Sequence, residues 1–219
     1  MFDRLREIIR SPRLRFVRDA VRPFMRSGVG SEQWLRIVMD REVKKLVDGL
    51  NPARLKVLEV SGNAWSQPGM FREYRSAKFP EYDVCETQLE EKFDLIIAEQ
   101  VFEHLLWPYR AGKNVYAHLK PGGHFLIATP FLVRIHLHPT DCSRWTETGL
   151  KHFLGECGFP MANIQTSSWG NRACVVTNLS RWRVDRPRWH SLKNDPIFPA
   201  VVWALAQKPL SDRDASPPG

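Results

Sequence analysis

Residues 92–131 read KFDLIIAEQVFEHLLWPYRAGKNVYAHLKPGGHFLIATPF, and the order of patterns in this stretch decides the fold. The apolar run Phe93–Ala98 predicts a buried strand, and apolar positions at helical spacing follow it over 101–110 and 112–119. The glycines of Leu119–Gly123 permit positive φ values, so they predict a turn into a second strand at Phe125–Thr129. A strand, a helix and a strand in this order indicate a parallel sheet with helices packed on it.

The same alternation continues on both sides of this stretch. Apolar runs predict further strands at Val57–Val60, Ala173–Thr177 and Val201–Ala206, and helical spacing predicts a helix over Thr148–Cys157. A helix from an N-cap at Ser31 to Gly49 precedes the first strand, with more helical segments before it. The fold class is therefore α/β, a mostly parallel sheet with helices on both faces, preceded by a helical N-terminal segment.

Composition excludes several classes of protein. A hydrophobic content of 43% with mixed charge argues against global disorder. No apolar run approaches the roughly 20 residues that span a bilayer, and the N-terminus lacks a signal-peptide core. The four cysteines have no metal-finger spacing, so we expect free thiols in a cytoplasmic protein.

The net charge of +8 is concentrated at the two ends of the chain. Residues 1–26 hold eight arginines, and residues 181–189 interleave arginines with tryptophans. Such patches attract the phosphates of lipids, nucleic acids or nucleotide-linked substrates. We expect an anionic membrane surface as a partner of the basic N-terminus, which would place the protein at the inner membrane face. The alternative is a solvated basic face with no dedicated partner.

The order and spacing FDLII…VFEHL…LKPGGHFLI resemble the class I S-adenosylmethionine-dependent methyltransferases of the small-molecule type. The resemblance covers about residues 54–208, and Val201–Pro209 looks like the closing antiparallel strand of that family. It implies a Rossmann-like sheet and S-adenosyl-L-methionine as cofactor. The expected organisation is a basic helical extension over residues 1–50, a methyltransferase domain over 51–208 and a disordered tail over 209–219.

The resemblance also implies a set of cofactor-binding residues. Glu59, at the end of the first strand, matches the acid that holds the methionine amino group. Gly62 is the single glycine of the segment that matches the glycine-rich loop, and Asp83, with Glu86 as alternative, matches the acid that faces the adenine. The full expected set is Glu59, Ser61, Gly62, Asn63, Asp83, Glu99 and Gln100. Trp65 beside the loop is either a core-edge aromatic or a stacking surface for the ligand.

Two departures from the family pattern concern the cofactor. The interval from Ser61 to Asp83 is about half the usual length for the family, so we expect one helix to be shortened or lost. Lys78 lies where the family has an acid that binds both ribose hydroxyls, unless Glu73 or Glu81 substitutes. Buried hydroxyls without partners cost about 1–3 kcal/mol each, so we expect weaker or more substrate-dependent cofactor binding than usual.

The polar segment from Arg134 to Trp145 follows a predicted strand and should lie at the carboxyl edge of the sheet, where such folds bind ligands. Methyl transfer to a hydroxyl requires a base, and a histidine oriented by a carboxylate suits that role. We expect His138 with Asp141 to supply it, with His136 as the competitor. The expected acceptor-binding residues are His104, Arg144 and Trp145, because guanidinium groups hold anions and indoles stack on sugar rings.

Three alternatives remain for these residues. In the first, Glu103 and His104 at a helix start serve only as capping and packing groups. In the second, His136, His138 and Asp141 bind a metal, for which they offer acceptable ligands, although we expect no metal. In the third interpretation the loop is purely structural, and Asp141 caps a turn and pairs with Arg144.

The predicted function is an S-adenosylmethionine-dependent methyltransferase that O-methylates a hydroxyl of a sugar or other small acceptor. The run over residues 129–159 is similar to a subgroup associated with bacterial polysaccharide biosynthesis, which implies a role in making glycans or the envelope. One alternative is a catalytically silent binding or assembly protein. Another is a nucleic-acid methyltransferase, which the absence of an Asn/Asp-Pro-Pro-aromatic motif disfavours, so nucleic acid is not an expected partner.

Overall fold

The computed structural model describes residues 33–137, 139–180, 182 and 190–211. The strands are β1 (Lys56–Val60), β2 (Glu73–Ala77), β3 (Phe93–Glu99), β4 (Leu119–Pro130), β5 (Ile164–Trp169) and β6 (Val201–Gln207). The α-helices are α1 (Ile37–Asp48), α2 (Pro108–His118), α3 (Glu147–Glu156) and α4 (Arg172–Ser180). Short 3-10 helices occupy Pro52–Arg54, Phe102–His104 and Met161–Asn163.

The six strands form one sheet in the order β2-β1-β3-β4-β6-β5. The pairs β1–β2, β1–β3 and β3–β4 are parallel, whereas β6 runs antiparallel to both β4 and β5. This confirms the predicted mostly parallel α/β sheet with an antiparallel C-terminal strand. The chain adds β2 on one side of β1 and then adds β3 on the other side, so the strand order reverses between β1 and β3. Ligands bind beyond the carboxyl ends of the strands at such a switch point.

The segment predicted as a turn before β4 belongs to the strand itself. β4 begins at Leu119, and its pairing with β3 shifts between Phe93 and Leu95, which is a bulge. Gly122 has a φ of +76°, as the glycine pattern predicted. The helix predicted from Val101 begins only at Pro108, because residues 102–104 form a 3-10 turn first and proline favours the first position of a helix.

The prediction of a strand at Ala173–Thr177 is wrong. These residues lie in helix α4, and the strand is β5, Ile164–Trp169, which the apolar pattern did not indicate. β5 is an edge strand with buried side chains only at Ile164 and Trp169. Because one edge and most of its side chains stay partly exposed, β5 lacks the apolar run of a central strand, and packing overrode the β-branched composition of α4.

The chain between β1 and β2 contains no helix. Residues 61–72, all of which the structure describes, form only turns and bends. This agrees with the expectation that the short interval after the first strand loses a helix. The loop must therefore satisfy its backbone N–H groups by other means.

Two apolar clusters cover the two faces of the sheet, and helix α1 belongs to one of them. Trp34, Val38, Met39 and Val43 pack with sheet residues such as Leu126 and Trp203. The opposite face holds helices α2 and α3 against residues that include Phe102, Phe125 and Phe153. Residues 33–48 are therefore part of the core that supports the sheet.

Among the described residues, no helix is long and apolar enough to span a bilayer. The first 32 residues and the tail beyond residue 211 lie outside the described residues.

Candidate cofactor and acceptor site

A cavity of about 610 Å³ opens at the carboxyl ends of β1, β2 and β3. This volume lies within the range of roughly 300–1,000 Å³ that is typical of small-molecule sites. Its polar lining consists of Ser61, Lys78, Asp83, Glu86, Gln100 and His104. Phe79, Leu106 and Trp107 add exposed apolar side chains to its wall. Of the residues predicted for ligand binding, Ser61, Asp83, Gln100 and His104 line this cavity.

Two non-glycine residues at the cavity have left-handed backbone conformations. Ser61 follows β1 with a φ of 61°, and Gln100 follows β3 with a φ of 56°. Their N–H groups donate hydrogen bonds of 2.8 Å to Ala77 and Ala128, which holds each residue against the neighbouring strand. Such conformations cost about 1–3 kcal/mol each and cluster at ligand sites. They mark the ends of β1 and β3 as the place where the fold is shaped for a ligand.

Glu59 is engaged by its own loop. Its side chain is 4% exposed, and Oε1 accepts a hydrogen bond of 2.9 Å from the N–H of Ala64. Oε2 accepts from the N–H of Trp65 at 3.1 Å and from the Tyr74 hydroxyl at 2.6 Å. In this loop without a helix, the Glu59 carboxylate thus satisfies the backbone N–H groups of Ala64 and Trp65. The predicted contact with the methionine amino group stays a prediction, because Glu59 is absent from the cavity lining.

Gly62 lies directly against this carboxylate. A Cβ atom at residue 62 would come within 2.1 Å of Oε1 of Glu59. The carbonyl oxygen of Gly62 also accepts a hydrogen bond from the Ser76 hydroxyl on β2. The single glycine of the loop is therefore explained by the close approach of Glu59. Asn63, by contrast, is exposed and contributes its carbonyl oxygen to a turn with Ser66 at 3.2 Å.

Glu99 contacts the α1 side of the sheet. Its Oε2 accepts a hydrogen bond of 2.9 Å from Arg36, and its Oε1 accepts one of 3.0 Å from Nε1 of Trp65. Burial raises the pKa of the Glu99 carboxyl, although Arg36 opposes that shift. Trp65 is 7% exposed and belongs to the core, which favours the core-edge interpretation of this indole. Glu99 and Trp65 fix α1 to the β1 loop and do not line the cavity.

The structure places Lys78 directly after β2, in the cavity wall. Glu73 begins β2 and pairs with Lys56 at 3.1 Å, at the opposite end of the strand. Glu81 does not line the cavity. Neither acid therefore replaces Lys78 at the end of β2. Asp83 and Glu86 both line the cavity, so the choice between them as the adenine-facing acid stays open.

The loop that follows β4 is bonded to the 3-10 turn at Phe102–His104. The N–H of Cys142 donates to the carbonyl of Glu103 at 2.7 Å, and the Thr140 hydroxyl donates to the carbonyl of His104 at 2.6 Å. Pro139 and Thr140 complete the cavity wall beside His104. The loop thus lies at the carboxyl edge of the sheet, where the sequence predicted it.

Asp141 and Arg144 form the structural pair that the third interpretation of the loop described. Nη1 and Nη2 of Arg144 bond to the two carboxylate oxygens of Asp141, and the backbone N–H of His136 donates to Oδ2 at 2.8 Å. Although burial opposes it, these donors hold the pKa of Asp141 below its ordinary value. His138, the predicted base, lies outside the described residues. Trp145 packs 5.2 Å from Phe153, ring centroid to centroid, at the edge of the core.

Glu103 is a candidate that the sequence analysis treated only as a capping group. Its side chain is fully buried, and neither carboxylate oxygen has a hydrogen-bond partner. Burial raises the pKa of Glu103 to about 7. Its nearest ionisable neighbour is Nε2 of His104, 3.6 Å from Oε1. The available sequence signal for this group was a carboxylate at the first turn after a central strand, between Phe102 and His104.

The mostly parallel sheet with a cavity beyond the carboxyl ends of β1 to β3 is the arrangement of a Rossmann-like methyltransferase fold. The chain belongs to the methyltransferase-domain family, because a family model described as a methyltransferase domain matches residues 27–191. Its methyl donor is accordingly S-adenosylmethionine. The cavity volume and its Ser61, Asp83 and Gln100 lining fit a nucleoside-containing ligand of that kind.

Solved structures share this fold at low sequence identity. A methyltransferase from Archaeoglobus fulgidus aligns over 79% of this chain and 94% of its own, with 14% identity and a TM-score of 0.52. Phosphoethanolamine N-methyltransferase 2 from Haemonchus contortus aligns over 78% of this chain and 52% of its own, with 14% identity and a TM-score of 0.52. The [4+2]-cyclase SpnF aligns over 89% and 94%, with 15% identity and a TM-score of 0.50. No curated protein matches the sequence significantly. At these identities the likeness shows the fold alone.

Proposed function

We propose that the enzyme transfers the methyl group of S-adenosylmethionine to a hydroxyl of a sugar or other small polar acceptor in glycan or envelope biosynthesis. The observation that carries the proposal is the junction of the cavity with the loop after β4. His104, Pro139 and Thr140 share one wall of the cavity, and the loop bears His136 and His138 on the N-terminal side of that contact. Donor and acceptor would therefore meet beside imidazoles.

Chain residues would hold the cofactor at the ends of β1 and β3. Ser61 and Gln100 present backbone groups from strained positions, and Asp83 or Glu86 offers a carboxylate to the adenine amino group. The cofactor supplies a methyl carbon bound to a positively charged sulfur. Because the displacement is in line, positioning of the acceptor oxygen by the cavity wall would account for much of the rate.

We propose that the acceptor binds through other side chains than Arg144 and Trp145, which the sequence suggested. Trp145 packs on the core, whereas Trp107 is 54% exposed at the cavity and carries the Arg110 guanidinium 4.7 Å from its ring centroid. We therefore assign ring stacking with a sugar to Trp107. Arg144 is held by Asp141, so both serve to fix the loop. His136 and His138 remain the proposed bases.

The test is calorimetric binding of S-adenosylmethionine followed by transfer of its labelled methyl group to a panel of sugars and nucleotide-linked sugars. We expect one cofactor per chain and label on one acceptor hydroxyl. Trp107→Ala should raise the acceptor KM with little change in cofactor affinity, and Ile197→Ala, which removes an exposed apolar side chain outside the cavity lining, is the control. Label only on amines, or on no acceptor despite cofactor binding, would contradict O-methylation.

A catalytically silent protein is the second candidate, and Lys78 is the observation that favours it. A lysine in place of a ribose-binding acid leaves the hydroxyls without an acceptor at that position. Lys78→Asp should let the ribose hydroxyls donate hydrogen bonds to a carboxylate. Such bonds to a charged group are worth about 1.5–3 kcal/mol, so cofactor binding should tighten by at least about tenfold. Lys113→Asp, on an exposed position of α2, controls for charge. If the wild type binds no cofactor and Lys78→Asp does, the silent interpretation is correct.

A further inference from the structure

Three potential metal ligands converge at the first turn after β3. Glu103 and His104 come from the 3-10 turn Phe102–His104, and His136 comes from the loop after β4. One ligand atom of each residue lies within 4.8 Å of the others. The rings of His104 and His136 meet edge to face, with centroids 5.0 Å apart. The loop thus brings a second imidazole to a carboxylate and a histidine that are adjacent in sequence.

Glu103 lacks the partners that a buried carboxylate requires. It is fully buried, and neither Oε1 nor Oε2 has a hydrogen-bond donor. Nε2 of His104 is 3.6 Å from Oε1, which is too long for a hydrogen bond. Arg144, the nearby guanidinium, is engaged in two bonds to Asp141. A buried carboxylate without donors is neutralised either by a proton or by a cation, and the two imidazoles beside Glu103 provide the further ligands that a cation needs.

His104 is oriented as a metal-binding histidine is. Its Nδ1 is bonded to the carbonyl oxygen of Thr140, and a carbonyl can only accept, so Nδ1 carries the proton. In the neutral ring Nε2 then carries the lone pair, on the side of Glu103. A backbone carbonyl that fixes the tautomer in this way is the usual outer contact of a metal-ligating histidine.

His136 is held by the Asp141–Arg144 pair. Its backbone N–H donates to Oδ2 of Asp141, and Arg144 bonds the same carboxylate. In a tetrahedral site two ligand atoms about 2.1 Å from the ion lie about 3.4 Å apart, so ion binding requires the side chains to approach one another by up to about 1.4 Å. Asp141 already accepts hydrogen bonds from His136 and Arg144, so Glu103, which has no such donors, is the better carboxylate ligand. The His136, His138 and Asp141 combination includes His138, which lies outside the described residues.

We infer that Glu103, His104 and His136 bind one divalent transition-metal ion, with zinc the best match. Two imidazoles and one carboxylate are a donor set that zinc accepts, and three protein ligands leave a fourth position for water or substrate. Magnesium and calcium prefer all-oxygen sites. His104 also lines the cavity, so the ion would lie at the boundary between cofactor and acceptor.

A role for the ion in catalysis rests on the proposed function. His136 bound to the ion would not act as the base, so an acceptor alcohol on the fourth position would lose its proton to water, which a bound metal favours. Its oxygen would then form the bond to the methyl carbon as the carbon–sulfur bond breaks, and that electron pair would stay on sulfur. Metal binding itself needs neither the cofactor nor the acceptor, so it can be tested separately.

The test titrates the chelator-treated full chain with Zn²⁺ by calorimetry and with Co²⁺ by visible absorption, without cofactor. The background is Cys142→Ser, because this exposed thiol lies near His104 and would bind metal by itself. We expect one ion per chain, and at least about 100-fold weaker binding in Glu103→Gln and in His136→Ala. His152→Ala, an exposed histidine on α3, should leave the affinity unchanged.

Thermal unfolding supplies a second measurement that separates ligand loss from misfolding. Zn²⁺ should raise the Tm of the parent protein and of His152→Ala, and should not raise that of Glu103→Gln, which must itself unfold cooperatively without metal. Binding that is absent, or that survives Glu103→Gln and His136→Ala, overturns the inference. Cofactor affinity measured on the same samples shows whether the proposed function fails independently.

Discussion

The hydroxyl of Tyr74 on β2 donates a hydrogen bond of 2.6 Å to Oε2 of Glu59 on the neighbouring strand β1. Val57 pairs with Tyr74 in the parallel register, so Tyr74 and Glu59 point to the same face of the sheet. The bond links the second residue of β2 to the penultimate residue of β1. Burial and the Glu59 carboxylate together raise the pKa of Tyr74, which keeps the hydroxyl a donor.

Tyr74→Phe should destabilise the protein by about 1–3 kcal/mol, because a buried carboxylate oxygen loses its strongest donor. Urea unfolding measures the change. Tyr109→Phe is the matched control, since its ring is 42% exposed and packs on Phe153. Equal stability of the two variants would show that the Tyr74 bond contributes nothing.

Gly62→Ala should destabilise the protein by about 1–3 kcal/mol and weaken cofactor binding. A Cβ atom there would lie 2.1 Å from Oε1 of Glu59, so either the carboxylate leaves the loop N–H groups or the loop moves. Chemical denaturation and calorimetry measure the two effects. Gly49→Ala, whose nearest atoms would be 3.4 Å away, should have little effect on either quantity.

Stability at acid pH should depend on Asp94 at the start of β3. Burial opposes a low pKa, yet the N–H of Lys56 at 2.7 Å and the ammonium of Lys120 at 2.9 Å hold the Asp94 pKa below its ordinary value of 3.8. A folded-state pKa below the unfolded one gives stability that is complete above about pH 4 and is lost as the pH falls through the folded value.

Asp94→Asn should therefore lower the stability at neutral pH and flatten its decline below pH of about 4. Urea unfolding at a series of pH values measures this dependence. Glu90→Gln, at an exposed position on the preceding loop, should leave the wild-type profile intact. Parallel profiles for the wild type and Asp94→Asn would contradict the assignment.

Asp141 and Arg144 should act as one unit that fixes the loop after β4. A double-mutant cycle of Asp141→Asn and Arg144→Lys should give a coupling energy of about 1–3 kcal/mol in the free energy of unfolding. Each single variant should lower kcat/KM to a similar degree, since both release the segment that carries His136. A coupling energy near zero, or a KM effect confined to Arg144→Lys, would indicate that Arg144 binds the acceptor directly.

Much of the fold was predictable because its signals are local. The strands β1, β3, β4 and β6 each contain a buried apolar run, and α3 shows helical spacing close to its observed bounds. Helix α1 ends near the predicted Gly49 but begins at Ile37, later than the N-cap predicted at Ser31. β5 escaped because an edge strand with partly exposed side chains leaves no such run, and α4 was mistaken for a strand because its valines favour strands in isolation. Packing against the sheet decided both.

The candidate site was predictable in position but only partly in its residues. The carboxyl ends of parallel strands meet at one edge, and the predicted residues Ser61, Asp83, Gln100 and His104 all line the cavity there. Glu99 was assigned to the pocket because it ends a strand, whereas its carboxylate turns to Arg36 and Trp65. Spacing along the chain locates a Cα atom, and it does not determine which donors compete for the side chain.

The sequence alone determined the class of protein, since residues 92–131 contain the strand, turn and glycine signals that specify this sheet. Tertiary structure alone decided that Tyr74 bonds to Glu59, that Glu99 turns to Arg36, and that His136 approaches Glu103 and His104. The physical reason is that a buried polar group takes the partners that the folded chain brings within hydrogen-bond distance. Those partners come from segments that are far apart in sequence, and no local pattern encodes their meeting.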